Sequence, residues 1–330
     1  MSGYWERKKV FVTGGTGLLG PWVMDRLVRE GASVVALIRD RVPFSNFYLM
    51  GLDGLVTSVH GDVTDMAAIE RSLNEYEIDT IFHLAAQAIV VTANRSPVST
   101  FESNIRGTWC VLEASRHCPW VKRIVVASSD KAYGDHRELP YREETPLRPT
   151  NFYDVSKASA DLLTQAYHKN FGLPVAIARC GNLYGGGDLN FNRIIPGTIE
   201  AALLGKSPVI RSDGRYVRDY FYVLDAVEAY LLTAESIDRP NGAAGQAFNF
   251  SNEEPLAVLE LVQRILKRMK REDLKPEILA HASGEIVEQY LSSKKSHETL
   301  GWKARYSLDE GLDETIAWYR KFFSDRVGRQ

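Results

Sequence analysis

The sequence predicts an α/β fold: a doubly wound parallel sheet with a smaller second lobe interleaved at its C-terminal side. Three observations carry this reading. Short apolar strands alternate with amphipathic helical segments up to Cys180, a glycine-rich turn follows the first strand, and the alternation breaks off after Cys180.

The first strand is read at 9–13 (KVFVT). Gly14 to Gly20 make the glycine-rich turn, and Leu19, Val23, Leu27 and Val28 then recur at helical spacing. Strands follow at 33–38, 55–59 and 80–84, with a helix at 66–75 between the last two. A helix is expected over 100–116, a strand at 123–128, a helix at 153–171 and a strand at 175–180. Beyond Cys180 come a Gly/Asn-rich loop, a helix near 194–204, a short strand at Val209 and Ile210, and a tail rich in Lys and Glu. No internal repeat or flexible linker intervenes, so the lobes should be interleaved rather than tethered.

A chain of 330 residues, 45% hydrophobic, can bury one large core or two moderate ones. Its net charge of -2 comes from 40 basic and 42 acidic residues spread along the chain, which excludes a polybasic nucleic-acid face. No apolar run approaches the roughly 18 residues of a membrane span, so neither nucleic acid nor membrane is an expected partner. Cys110, Cys118 and Cys180 form no CxxC pair, and an odd set without a secretory leader fits a reducing cytoplasm. No metal site is read.

In TGGTGLLG, Gly14, Gly17 and Gly20 permit a tight turn, a close approach to pyrophosphate and close helix packing. Thr16, Leu18 and Leu19 complete the turn, and the following helix N-terminus faces the phosphates of a dinucleotide. The ribose acid expected about 20 residues further on falls at Ile38 instead. Arg39 can pair with a 2′-phosphate, Asp40 can hold the ribose hydroxyl, or the two form a solvated charge pair. The cofactor is therefore read as NAD(P), with a slight lean to NADP from Arg39. Asp62 and Val63, after the third strand, can meet the adenine amino group, or form an ordinary turn.

Tyr153 and Lys157 in YDVSK stand at i and i+4, on one helix face. Bringing a phenol from about 10 to neutrality takes roughly 4 kcal/mol of preferential phenolate stabilisation. A neighbouring lysine and an oxidised nicotinamide both supply the positive charge for it.

Through TGGTGLLG, FHLAAQ (82–87), SSDKAYG (128–134) and YDVSK, the chain resembles the extended short-chain dehydrogenase/reductases, the NAD-dependent epimerase/dehydratase family. The resemblance covers nearly the whole chain, including the tail WKARYSLDEGLDETIAWY. It implies a Rossmann sheet, a homodimer, and a tightly bound, recycled cofactor contacted also by Leu84, Ala85, Ala86 and Gln87. It implies that Ser129 holds the substrate hydroxyl, Tyr153 is the acid/base and Lys157 holds the nicotinamide ribose. The dinucleotide domain is expected at 1–180, rejoined by about 217–250, with a nucleotide-sugar lobe from 181–216 and 251–330.

Asp130 and Lys131 follow Ser129 where dehydratases of this family carry an ionisable pair and 4-epimerases usually do not. With RCGNLYGGGD and RIIPGTI, this looks most like the CDP-glucose 4,6-dehydratases. Oxidation at C4 acidifies the C5 proton; one group takes it, another protonates the departing C6 hydroxyl, and hydride returns to C6. The expected activity is a nucleotide-sugar 4,6-dehydratase, a lyase making a 4-keto-6-deoxy sugar. A nucleotide-sugar 4-epimerase and a non-catalytic dinucleotide sensor are the alternatives.

For the nucleotide-sugar, Asn182, Arg193 and Arg218 are candidates for the diphosphate, Arg218 foremost because VRDYFYVLDA resembles the family's RD motif. Gln87 is a further substrate candidate, and Val209 to Arg211 is expected beside the base. The tail departs from many relatives in reading Glu288-Gln289-Tyr290-Leu291-Ser292 where they have an arginine before an aspartate.

Overall fold

The computed structural model describes residues 3–280 and 286–327. Its strands, in chain order, are β1 (Lys9–Thr13), β2 (Ser33–Ile38), β3 (Thr57–His60), β4 (Thr80–His83), β5 (Arg123–Ser129), β6 (Val175–Cys180), β7 (Asn182–Tyr184), β8 (Val209–Ile210), β9 (Val217–Tyr222), β10 (Ala247–Phe250), β11 (Pro255–Ala257), β12 (Glu277–Ile278) and β13 (Glu288–Gln289). Seven of them form one sheet in the order β3-β2-β1-β4-β5-β6-β10, parallel at every pairing. This is a Rossmann-type order, with β10 added beyond β6.

Strand alternation sends successive apolar residues to opposite faces. Val10, Val12, Val34 and Ala36 pack into the core with helices Leu19–Arg29 and Val223–Ser236. Phe11, Val35, Leu37 and Ile81 face the other way, toward Met66–Glu75 and Gly107–Arg116. Both faces are covered, which is why these strands read as unbroken apolar runs.

The second lobe centres on β9, which pairs with β7 and β13 in parallel and with β11 antiparallel; β8 and β12 form a separate ladder. The chain's return to the first lobe, expected from 217, starts at Val223, because β9 belongs to the second sheet and only β10 to the first.

Two local expectations are corrected. Residues 52–54 form a 3-10 turn and Leu55 is exposed, so β3 enters the ladder only at Thr57, opposite Val35. The helix expected over 100–116 is divided: Pro97–Phe101, a wide π-type turn Glu102–Arg106, then Gly107–Arg116. No helix among the described residues is long and apolar enough to cross a membrane.

Candidate active site

One cavity opens where strands β1 to β4 end, the crevice in which doubly wound sheets bind ligands, and another lies in the second lobe. The first, of 220 Å³, is walled by Gly14, Thr16 and Gly17, by Leu37, Arg39 and Asp40, and by Val63, Leu84, Ala85 and Ala86. Gly14 has φ +77°, and a Cβ there would stand 2.8 Å from the Ala85 nitrogen. A Cβ on Gly20 would strike the Gly14 carbonyl oxygen. Only glycine gives this backbone its approach, and the space left free fits a dinucleotide's pyrophosphate.

The turn after β4 is held against this loop by a buried network. Leu84 and Ala85 donate their backbone N–H groups to Thr13 Oγ1, each at 3.1 Å. His83 lies between Thr13 Oγ1, at 2.9 Å, and Thr108 Oγ1, at 3.0 Å; burial pushes its imidazole down to about 3 and keeps it neutral. Asn104, in the π-type turn, accepts from Gln87 N at 2.7 Å and donates to Gln87 O and to Ser156 Oγ. Thr13, His83, Asn104 and Thr108 escaped the sequence reading because buried polar residues carry no periodic signal.

The remaining cofactor candidates divide. Arg39 and Asp40 are exposed and paired to each other, Nε to Oδ2 at 2.6 Å, on the rim of the cavity. Ile38, at the expected acid position, is in the core. Leu18 and Leu19 start the helix rather than line the cavity, with Leu19 buried. Val63 lines the cavity, but the Asp62 carboxylate turns to Thr64 N and Oγ1, at 2.8 and 2.7 Å. Burial pushes Asp62 up, yet those hydrogen bonds outweigh it and hold the carboxyl below its usual value. Gln87 closes on its own loop, donating to Ile89 O and Thr100 Oγ1 and accepting from Ile89 N, so its side chain lines neither cavity.

The residues expected to handle protons gather around the end of β5. β5 ends at Ser129, whose Oγ donates to Asp130 Oδ1 at 2.8 Å and accepts from Lys131 N at 3.2 Å, winding 130–133 into a 3-10 turn. Tyr153 stands in the first turn of helix Phe152–Phe171, with Ser129 and Asp130 near its phenol. Burial pushes its phenol well above the usual value, Asp130 and Asp154 add to this, and Arg193 and Ser129 oppose it. Lys157 donates from Nζ to the Ala127 carbonyl at 2.5 Å, and burial pushes its ammonium down to about 8.

Asp130 is 1% exposed, and its Oδ2 has no hydrogen-bond partner among the described residues, with Lys131 Nζ 3.7 Å away. The Lys131 ammonium donates to Gln289 Oε1. Two further buried carboxyls were missed by sequence reasoning. Burial raises Asp154 to about 6 against the pull of Lys131, and raises Asp219 to about 7 against the hydrogen bond from Leu291 N.

The second cavity, of 270 Å³, lies in the other lobe and is lined by Asn182, Arg193, Arg211 and Arg218 together with Ile210 and Tyr220. Arg193 pairs with Asp188 at 2.7 Å and donates to Leu183 O. Arg211 donates to Asn192 Oδ1 at 2.6 Å. Arg218 donates to the Val217 and Val287 carbonyls and lies over the Tyr216 ring. Val209 faces outward, half exposed, and its neighbour Ile210 takes the inward position.

Known proteins resemble this arrangement over its whole extent. The CDP-glucose 4,6-dehydratase of Salmonella typhimurium is 30% identical, covering 96% of this chain and 92% of its own. The dTDP-glucose 4,6-dehydratase of Streptomyces venezuelae, solved with NAD and TYD bound, superposes with a TM-score of 0.86 at 28% identity, covering 95% of this chain and 97% of the other. The UDP-glucose 4-epimerase of Thermotoga maritima, solved with UDP-glucose, gives 0.87 at 28% identity, over 96% and 99%. A family model described as GDP-mannose 4,6 dehydratase matches residues 11–315, and the chain belongs to that family.

Proposed function

We propose that the protein is an NAD(P)-dependent nucleotide-sugar 4,6-dehydratase, producing a 4-keto-6-deoxy sugar with loss of water. The observation that carries the reading is Asp130-Lys131, set by a 3-10 turn beside Ser129 and Tyr153, with Asp130 Oδ2 buried and without a hydrogen-bond partner among the described residues.

Ser129 holds the C4 hydroxyl and Tyr153 takes its proton, a task that depends on surrounding cations because burial alone keeps the phenol protonated. A nicotinamide dinucleotide supplies the hydride acceptor at C4 and the donor at C6 within one turnover, so it need not leave. Lys131, as the neutral amine, takes the C5 proton, and Asp130, as the acid, gives a proton to the C6 hydroxyl, which departs as water. Lys131 then returns its proton to C5, and the proton gained by Tyr153 balances the one lost by Asp130 through solvent. Lys157 holds the nicotinamide ribose, while Arg218, Arg193 and Asn182 meet the diphosphate.

The Arg39–Asp40 pair supports either cofactor, and our reading keeps a slight lean to NADP from Arg39. Exposed Trp109, Phe152, Leu162 and Phe171 support a homodimer through the helices that bear them. Three buried cysteines, none in a disulfide, support a cytoplasmic setting.

A 4-epimerase is the second reading, favoured by the likeness to the Thermotoga maritima enzyme. Incubation with UDP-, CDP-, GDP- and TDP-glucose separately, followed by product mass, decides between them: loss of water is expected, and an unchanged mass with every sugar rejects the dehydratase.

A further inference from the structure

We propose that Gln289 is a positioning residue for the elimination, aiming the Lys131 amine from the second lobe. The inference rests on the dehydratase reading above. Gln289 is 0% exposed, and its amide spans the ionisable pair. Its Oε1 accepts from Lys131 Nζ, and its Nε2 donates to the Asp130 carbonyl at 3.0 Å. It reaches the turn from β13, where it stands opposite Arg218 of β9 in the parallel ladder. Arg218 lines the substrate cavity and also donates to Val287 O, two residues before Gln289. A substrate diphosphate drawn to Arg218 therefore bears on the strand that holds Lys131.

The residue type suits this task. A carboxylate here would stabilise the charged ammonium and oppose its use as a base. An amide accepts the same hydrogen bond without a charge, and its other end, donating to the Asp130 carbonyl, fixes which way the amide faces. Charged groups that also act on Lys131 include Asp130 on its own turn and Asp154 from helix Phe152–Phe171, and Arg218 acts on Asp154 in turn.

The test compares Gln289→Met with wild type and repeats the substitution on Lys131→Ala, using as probe whichever of UDP-, CDP-, GDP- and TDP-glucose the wild type turns over and protein carrying the cofactor with which it is purified. Expected for Gln289→Met is accumulation of reduced cofactor, seen by its absorbance, with product release down about tenfold to a hundredfold. On Lys131→Ala the same substitution should change the ratio of reduced cofactor to product no further, because the two act through one amine. A wild-type ratio in Gln289→Met, a parallel fall of oxidation and dehydration, or additive effects on Lys131→Ala each overturns the assignment. If Gln289→Met fails to fold, Gln289→Glu replaces it: the acid limb of its dehydration profile should move to higher pH, and an unmoved limb overturns the assignment. A wild-type product of unchanged mass with each of UDP-, CDP-, GDP- and TDP-glucose overturns the dehydratase reading as well, whereas a dehydrating wild type with an indifferent Gln289 leaves that reading standing.

Discussion

Asp161 and Arg179 meet in a two-pronged ion pair, Nε to Oδ2 at 2.8 Å and Nη2 to Oδ1 at 2.9 Å, with both side chains buried. Asp161 lies one turn beyond Lys157 on the same helix and also accepts from Ser128 Oγ, while Arg179 reaches Tyr133 Oη. The pair thus locks the helix of Tyr153 to β6 and to the turn after β5. Asp161→Ala leaves a buried guanidinium unpaired and should cost about 3–5 kcal/mol. Urea unfolding measures this, and a loss within about 1 kcal/mol rejects the locking role.

Tyr153→Phe should lower turnover at least about a hundredfold while leaving cofactor content unchanged. Near-normal activity of the folded variant rules out the acid/base assignment.

Lys131→Ala should still oxidise C4 and accumulate reduced cofactor, yet release little dehydrated product. A plain Asp130–Lys131 ion pair predicts the opposite: lower stability with the ratio of oxidation to dehydration unchanged. Absorbance of the reduced nicotinamide and product mass, read together, separate the two.

Asp219 introduces a pH dependence of stability. Its carboxyl is raised by burial to about 7, above the unfolded value of about 3.9, so the fold prefers it protonated. Its contribution is full below about pH 4 and is lost as pH rises through about 7. His83, depressed by burial to about 3, works in the opposite sense as pH falls below about 6.5. Asp219→Asn leaves His83 in place, so comparing it with wild type isolates the carboxyl. Between about pH 5 and about pH 8 the wild-type melting temperature should fall relative to the variant; parallel curves reject the assignment.

Mass spectrometry of the cofactor released from purified protein tests Arg39. NADP is expected in excess, and its binding should weaken with salt, because Arg39 is exposed and a contact to the 2′-phosphate is screened. Recovery of NAD alone overturns the Arg39 assignment and leaves the ribose to Asp40.

The parts of the fold that repeat were readable in advance. Strands 9–13, 33–38 and 175–180 and helix 66–75 occupy the expected residues, because burial on both faces leaves unbroken apolar runs and an amphipathic helix leaves a 3.6-residue period. Where the expectation failed, the deciding contact was not periodic. The extra residue of the π-type turn at 102–106 serves Asn104, whose partners lie on Gln87 and Ser156. In the two-residue strand β8, alternation puts one side chain in and one out but does not say which, and Ile210 rather than Val209 took the inner place. Gln289 meets Lys131 across 158 positions of chain, a pairing no local pattern announces.

The position of β10 has an evolutionary side. It reaches the edge of the first sheet only after the chain has crossed into the second lobe to make β9 and come back through helix Val223–Ser236. A cut after Cys180 would strip β6 of its neighbour, expose a sheet edge open to aggregation, and uncover the face that this helix shields. The second lobe, with the residues proposed for the nucleotide-sugar, is thus not a cassette that a single recombination event can exchange. Substitutions at Ile210 and Arg211 can reshape the second cavity within an intact chain, whereas exchanging everything after Cys180 would also remove β10 from the first sheet.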